Sequence, residues 1–274
     1  MSQSLEIVCI GNELLIGKTL NTNAQWLAKQ VTSLGLATRR ITVVADNIDE
    51  ISCALQEAIQ RSPNFLLTTG GLGPTFDDKT LEGIAKALGR GTEVNEEALK
   101  MVKDKYLTYA REGRMESAEL TPSRLKMAKL PEGATPLRNP VGTAPAVSIE
   151  HENVTIIALP GVPSEMKSIF DDSVTPVMKQ AARGVTFFET SIEAAKVMES
   201  EMAPLIDKVM QNNPHVYIKS HPKGTERVPQ IEFHLSTTAK DAITARKHVS
   251  KALIELTDLI QQKRGTVKPA KTEI

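Results

Sequence analysis

Two adjacent carboxylates, Asp77 and Asp78, follow a glycine-rich turn, Gly70-Gly71-Leu72-Gly73-Pro74-Thr75, and make this the most chemically loaded stretch of the chain. Glycines carry no Cβ and can take positive φ, so backbone N–H groups can converge and a phosphate or pyrophosphate can come close. Adjacent carboxylates repel unless a cation offsets their charge. Beside a phosphate cradle they suit a hard divalent ion that bridges protein and ligand oxygens. Thr80 stands at the start of a helical pattern, where free N–H groups add a further place for an anion. The plainer alternative is a strand-to-helix turn whose aspartates cap the helix. A P-loop is excluded because Pro74-Thr75 stands where Lys-Ser/Thr is required, and a dinucleotide fingerprint because its glycine trio is spaced differently.

The elements that must position these groups are legible around them. Phe65-Leu66-Leu67 is an apolar run leading into the turn, and Leu81, Ile84, Ala85 and Leu88 form a helical stripe leaving it. Leu5–Ile10 is a second strand, ending in Gly11-Asn12-Glu13-Leu14-Leu15-Ile16-Gly17. Asn21-Thr22-Asn23 then precedes a helix with Trp26, Leu27, Val31 and Leu34 on one face and Gly35 at its C-cap. Ile41–Val44 is a third strand and delivers Asp46-Asn47 ahead of a helix with Ile51, Leu55, Ala58 and Ile59. Three successive strand–helix units predict a parallel sheet with helices on both faces. Ligands of such sheets bind beyond the carboxyl ends of the strands. Glu13, Asp46 and the 70–78 loop all fall at that edge.

A charged helix is expected over 95–114 and a loop-rich stretch over 125–138, leading to Asn139-Pro140-Val141-Gly142-Thr143-Ala144-Pro145. Two strands follow, around Val147 and Ile157, joined at His151-Glu152-Asn153; the second ends in Pro160-Gly161-Val162-Pro163-Ser164-Glu165, where Ser164 can cap a helix. The first domain is expected over 1–184. A βαββα module over 185–264 has no convergent Gly/acid loops, which fits a structural, dimerising or lid role, and 265–274 reads as a disordered basic tail. Four histidines of the module, His215, His221, His234 and His248, show no HxxxH or HxH spacing and read as scattered surface or satisfied side chains rather than as metal ligands.

Composition removes other classes. Lys plus Arg and Asp plus Glu are 33 each, so no net charge draws the chain to nucleic acid or to an anionic membrane. Aromatics are 4% of residues, too few for a base-stacking platform. Cys9 and Cys53 lack metal-like spacing and read as buried free thiols of a reducing compartment. No apolar run is long enough to span a bilayer, and a cytoplasmic protein is the expectation.

The Gly11–Gly17 stretch with Asn21-Thr22-Asn23, the Thr69–Thr80 stretch, the Asn139–Ala144 stretch and the Leu159–Met166 stretch together resemble the N-terminal domain of the CinA (competence/damage-inducible) family. The resemblance covers about 5–170 and implies the three-layer α/β fold of the molybdopterin-binding proteins MoaB and MogA and of the matching MoeA domain, followed by a small α+β domain. The C-terminal nicotinamide mononucleotide amidohydrolase domain of full-length CinA is not part of the match, so deamidase activity does not carry over. The resemblance implies a small-molecule nucleotide or pterin ligand and a homo-oligomer, dimer or trimer. It implies two candidate chemistries, metal-dependent hydrolysis of the pyrophosphate of ADP-ribose or a similar dinucleotide and adenylylation of molybdopterin; a different class, a binding module without turnover or a regulator that senses a nucleotide, stays open beside them. Asp77 and Asp78 would hold a divalent metal (Mg²⁺, Mn²⁺, Co²⁺ or Ni²⁺), with Glu13 or Asp46 as the base. Asp46 and Asp78 match acidic positions of the adenylyltransferases. Thr69, Gly70, Gly71, Gly73, Pro74, Thr75, Thr80, Asn21, Asn23, Gly142, Thr143, Pro160, Gly161 and Glu165 would contact the ligand.

Overall fold

The computed structural model describes residues 3–223 and 230–270. The chain forms two compact units. One comprises Leu36–Ala182 and the chain up to Thr32; the other runs from Arg183 onward and includes Ser33–Gly35.

The first unit runs β1 (Ser4–Ile10), α1 (Asn12–Leu15), α2 (Thr22–Ser33), β2 (Ala37–Val44), α3 (Ile48–Gln60), β3 (Phe65–Thr69), α4 (Thr80–Ala87), β4 (Thr92–Val94) and α5 (Glu96–Arg111). It continues through α6 (Pro122–Lys126), β5 (Lys129–Pro131), β6 (Thr135–Leu137), β7 (Ala146–His151), β8 (Val154–Leu159), α7 (Pro163–Ile169), a π-helical turn at Phe170–Val174 and α8 (Thr175–Ala182). Six strands form a sheet in the order β2-β1-β3-β8-β7-β6. The first four are parallel, and β7 and β6 return antiparallel.

Burial explains why the central strands read as continuous apolar runs. Leu5–Ile10 and Phe65–Thr69 are buried throughout, as strands covered on both faces must be. Val8, Ile10, Leu66, Ile156 and Ala158 share a core with Ile51 and Leu55 of α3, Ile84 of α4 and Val102 of α5. By the two-residue pleat, Ile7, Cys9, Leu67 and Ile157 face the other way. There, buried Leu27 and Val31 of α2 and Met166, Ile169 and Met178 of α7 and α8 supply the third layer. Glu6, the one acidic side chain buried inside β1, is held by both arms of Arg61 at 2.8 and 2.9 Å, a structural pair far from the catalytic reading.

Register aligns the strand ends. Ile10 pairs with Val44, Cys9 with Thr69, and Thr69 with Leu159, so four parallel strands stop at one edge and send their loops into the same space.

The second unit runs β9 (Thr186–Ala195), α9 (Glu199–Asn212), β10 (Tyr217–Pro222), β11 (Gln230–Ala239), α10 (Ala242–Gln262) and β12 (Thr266–Pro269). Its sheet order, β10-β11-β9-β12, is that of a split βαβ arrangement. Ile192, Phe233 and Leu235 of the sheet pack with Met202 and Val209 of α9 and Val249, Leu256 and Ile260 of α10.

Two expectations are corrected. The 265–274 tail begins with β12, which pairs antiparallel with β9 and sets Lys268 Nζ 2.8 Å from Glu193; Pro and Lys mask a strand whose Val267 meets the core. Residues 271–274 of that expected tail lie outside the described residues. The 125–138 stretch holds β5 and β6, each of three residues, too short to show a period. The histidines of this unit have partners within it: His215 stacks on His248 and His221 meets His234 edge-on, both with centroids 4.9 Å apart, while Ser191 Oγ lies 2.8 Å from His234 Nδ1. No described helix is long and apolar enough to cross a membrane.

Candidate functional site

The aligned strand ends are locked by backbone before any side chain is considered. Gly11 N–H donates to Val44 O at 3.1 Å and Gly70 N–H to Leu159 O at 3.0 Å, extending the ladders one residue into the loops. Gly70 has φ 108°, and a Cβ there would stand 2.2 Å from Ile10 O, so no other residue fits. Side chains then tie the loops together. Asp46 Oδ2 accepts the Asn12 N–H at 2.8 Å, and Asn21 Oδ1 caps α2 by accepting the Ala24 N–H at 3.1 Å. Asn23 Nδ2 donates to Gly161 O at 2.7 Å and to Thr69 Oγ1 at 3.1 Å, and Thr69 Oγ1 in turn donates to Pro160 O at 3.1 Å. Asn23 Oδ1 is buried and has no hydrogen-bond partner.

These loops enclose a cavity of about 280 Å³. Four carboxylates line it: Glu13, Asp46, Asp77 and Asp78. So do Asn21, Asn23, Thr69, Gly70, Gly71 and Gly161, all expected from the sequence. Thr19, Leu20, Thr22 and Pro163 join them unforeseen; only their adjacency to the Asn21–Asn23 and Pro160–Gly161 segments could have signalled them. No Lys or Arg is among the lining residues. A phosphate entering this cavity meets four acids and no basic side chain.

Asp77 and Asp78 are drawn together by Thr75. Its Oγ1 lies 2.5 Å from Asp77 Oδ1 and 2.6 Å from Asp78 Oδ2, and its N–H donates to Asp78 Oδ2 at 2.7 Å. A hydroxyl has one proton, so it can serve only one of the two oxygens. The hydrogen bond from Thr75, followed by a backbone one and the charge of Lys126, holds the Asp77 carboxyl below its usual pKa. Lys126 Nζ also donates to Thr75 O, bracing the loop from outside the cavity. Among the described residues, no three His, Cys, Asp or Glu side chains form a ready metal centre. The donor set is still that of a hard cation, since one or two carboxylates plus ligand oxygens and water complete a typical Mg²⁺ shell.

Other expected contacts have different work. Thr80 is fully buried and its Oγ1 donates to Gly70 O at 2.7 Å, so it closes the loop instead of offering itself to a ligand. A Cβ on Gly71, where φ is 67°, would stand 2.3 Å from that Oγ1, so this glycine both lines the cavity and leaves the room that seats Thr80. Gly73 does not take positive φ; a Cβ there would crowd Asp78 Oδ2 at 2.7 Å, and the residue lines a smaller cavity of about 120 Å³ that shares Gly71 and Asp78 with the first. Pro74 and Thr75 are exposed on the loop and do not line the main cavity. Pro160 contributes only its carbonyl, to Thr69.

Gly142, Thr143 and Glu165 are not brought to the main cavity. Asn139 Nδ2 donates to Glu165 Oε2 at 2.7 Å and its Oδ1 accepts the Gly142 N–H at 2.8 Å, while a Cβ on Gly142 would stand 2.0 Å from Glu165 Oε2. Asn139, Gly142 and Glu165 form a structural knot between the 138–145 loop and α7, while Thr143 Oγ1 donates to Met127 Sδ at 3.8 Å. Ser164 does not cap α7, which starts at Pro163 after an uncapped Val162. Cys9 is buried, which raises its thiol pKa against the opposing hydrogen bond from Asn21, but Cys53 is exposed, contrary to expectation.

Residues 6–180 match the family described as "Probable molybdopterin binding domain". A curated protein of Pyrobaculum arsenaticum is 45% identical over 260 residues, 94% of this chain and 95% of its own length. A protein of Saccharolobus solfataricus is 39% identical over 264 residues, 96% and 94% of the two chains. The crystal structure of the protein CinA, of unknown function, from Thermoplasma acidophilum is 40% identical with a TM-score of 0.58, over 64% of this chain and 98% of that one.

Proposed function

The chain belongs to the molybdopterin-binding domain family, and on that premise we propose that it binds a phosphorylated nucleotide or pterin at the carboxyl edge of its parallel sheet and hydrolyses a pyrophosphate bond with the help of a divalent cation. The observation that carries this reading is the composition of the main cavity: four carboxylates, a glycine turn and no basic side chain. Phosphate oxygens are repelled by such a wall unless a cation neutralises it. Asp77 and Asp78 are the residues to hold that cation, and a metal so placed polarises a phosphoryl oxygen and acidifies a water. The N–H groups around Gly70 and Gly71 orient the phosphates. Glu13, whose carboxylate folds back over Gly11, and Asp46 are the candidates to take the proton of the attacking water. ADP-ribose is the substrate of choice to test, from the resemblance to the CinA N-terminal domain.

A second reading, ligand binding without turnover, has its own support. Asp46 is engaged as the acceptor for Asn12 and Asp78 as the acceptor for Thr75, so both carboxylates have structural roles that a non-catalytic site would also need. Leu20, Ile16 and Phe76, 84%, 74% and 86% exposed, flank this edge and support a second copy of the chain covering it, which light scattering would test.

Incubation with ADP-ribose or FAD and each of Mg²⁺, Mn²⁺, Co²⁺ and Ni²⁺, with products resolved by chromatography, tests the hydrolase, and molybdopterin, which has no pyrophosphate bond, is titrated alongside as a binding ligand. AMP and ribose 5-phosphate from ADP-ribose are the expected products. Binding with no consumption under any metal favours the second reading.

A further inference from the structure

The 138–145 loop was expected beside the glycine turn, yet it borders a separate and larger cavity of about 520 Å³. One face of α5 forms the facing wall, with Glu97, Lys100, Asp104 and Lys105 at spacings that share a helix side. Arg138 and Thr143 of the loop complete it. This volume lies within the range of about 300–1,000 Å³ typical of small-molecule sites.

The charges of this wall are unspent. Among the described residues, none of Lys100, Lys105 and Arg138 has a carboxylate within ion-pair distance, and neither Glu97 nor Asp104 has a cation. Lys105 Nζ donates to Pro140 O at 2.7 Å and lies 5.6 Å from the Tyr109 ring, which fixes where its ammonium points and leaves it N–H groups to give. Burial, then the positive charges of Arg138 and Arg114, lower its pKa against the smaller opposing pull of Glu112 and Glu165. Asn139 holds the loop in place through Ala144 O and Glu165 and has no part left for a ligand.

Unpaired cations beside unpaired carboxylates match a ligand that carries a phosphate at one end and hydroxyl groups at the other. Arg and Lys take phosphate oxygens, and Asp or Glu accepts from sugar hydroxyls. We propose that this second cavity is a binding site for a sugar phosphate, with Lys100, Lys105 and Arg138 on the phosphoryl group and Glu97 and Asp104 on the sugar hydroxyls. The site supplies its own positive charge, so binding here needs no metal. It therefore stands or falls independently of the hydrolase reading.

Calorimetric titration of the full chain with ribose 5-phosphate in the presence of EDTA tests it, with inorganic phosphate and ribose titrated in parallel. Ribose 5-phosphate binds more tightly than either part, and Arg138→Gln and Lys100→Gln, both at exposed positions, each weaken it by at least about tenfold, the loss of one charge-assisted contact. Asp78→Asn leaves it unchanged. Amide chemical-shift changes cluster on α5 and residues 138–143. Absence of binding at millimolar ribose 5-phosphate, equal affinity for inorganic phosphate alone, indifference to both charge substitutions, or shift changes centred on the glycine turn would each overturn the proposal.

Discussion

Asp46 Oδ2 accepts the backbone N–H of Asn12 at 2.8 Å, so the carboxylate that ends β2 fastens the loop that ends β1. One side chain thus has a structural task and, in the proposed reaction, a chemical one. Asp46→Asn keeps the acceptor and removes the charge; Asp46→Ala removes both. Alanine is expected to cost about 1 kcal/mol in urea unfolding, the usual loss of a helix-start acceptor, and asparagine less than half of that. If Asp46 is the base, both variants lose turnover by at least about a hundredfold. A fall with alanine alone would assign Asp46 to the scaffold only.

Glycine at 70 and glycine at 17 separate crowding from conformation. Both have positive φ, but a Cβ at 70 meets Ile10 O at 2.2 Å and one at 17 meets nothing within 4 Å. Gly17→Ala should cost about 1–2 kcal/mol from the left-handed backbone alone. Gly70→Ala adds a clash with backbone and should exceed about 3 kcal/mol, read as a lower urea midpoint or failure to fold.

The two thiols should react at very different rates. Cys53 is exposed, whereas Cys9 is buried with its pKa raised. The thiolate is the reactive form, so a disulfide reagent at pH 8 should label Cys53 first and Cys9 on the order of a hundredfold or more slowly, until denaturant exposes it. Two equal fast phases would contradict the burial of β1.

Asp77 carries a pH signature. Its folded pKa is depressed, first by the Thr75 hydrogen bond, so the folded form binds its proton less readily than the unfolded chain. The associated stabilisation is present above the ordinary carboxylate pKa and is lost as pH falls through the depressed value. Thr75→Val should return the Asp77 titration toward the ordinary value in carboxyl NMR. An unchanged titration would remove Thr75 as the cause.

Much of this edge could be read from residue order because strand, turn and helix alternate with clear periods, and parallel strands must end together. Asp46 and Gly70 are far apart in sequence yet share a cavity for that reason. What was hidden depended on contacts of side chains with loops. Gly142 and Glu165 stood in Gly/Pro-rich segments like the others, but the Asn139 hydrogen bonds turn them into a knot of their own. The second task of Gly71 was hidden because nothing in a sequence shows that Thr80 Oγ1 occupies the space beside it. β12 was missed because a short edge strand containing Pro and Lys has no apolar alternation to display.

The central claim is that a phosphorylated ligand enters an acid-lined cavity only with a divalent cation. A methylene-bridged ADP-ribose analogue, which cannot be hydrolysed at the pyrophosphate, titrated calorimetrically into the Arg138→Gln variant with Mn²⁺ or with EDTA, tests it most directly. The account predicts an affinity at least about tenfold higher with Mn²⁺, and a much smaller difference once Asp78→Asn is added. Equal affinity in Mn²⁺ and in EDTA, with Asp77 and Asp78 intact, would contradict it.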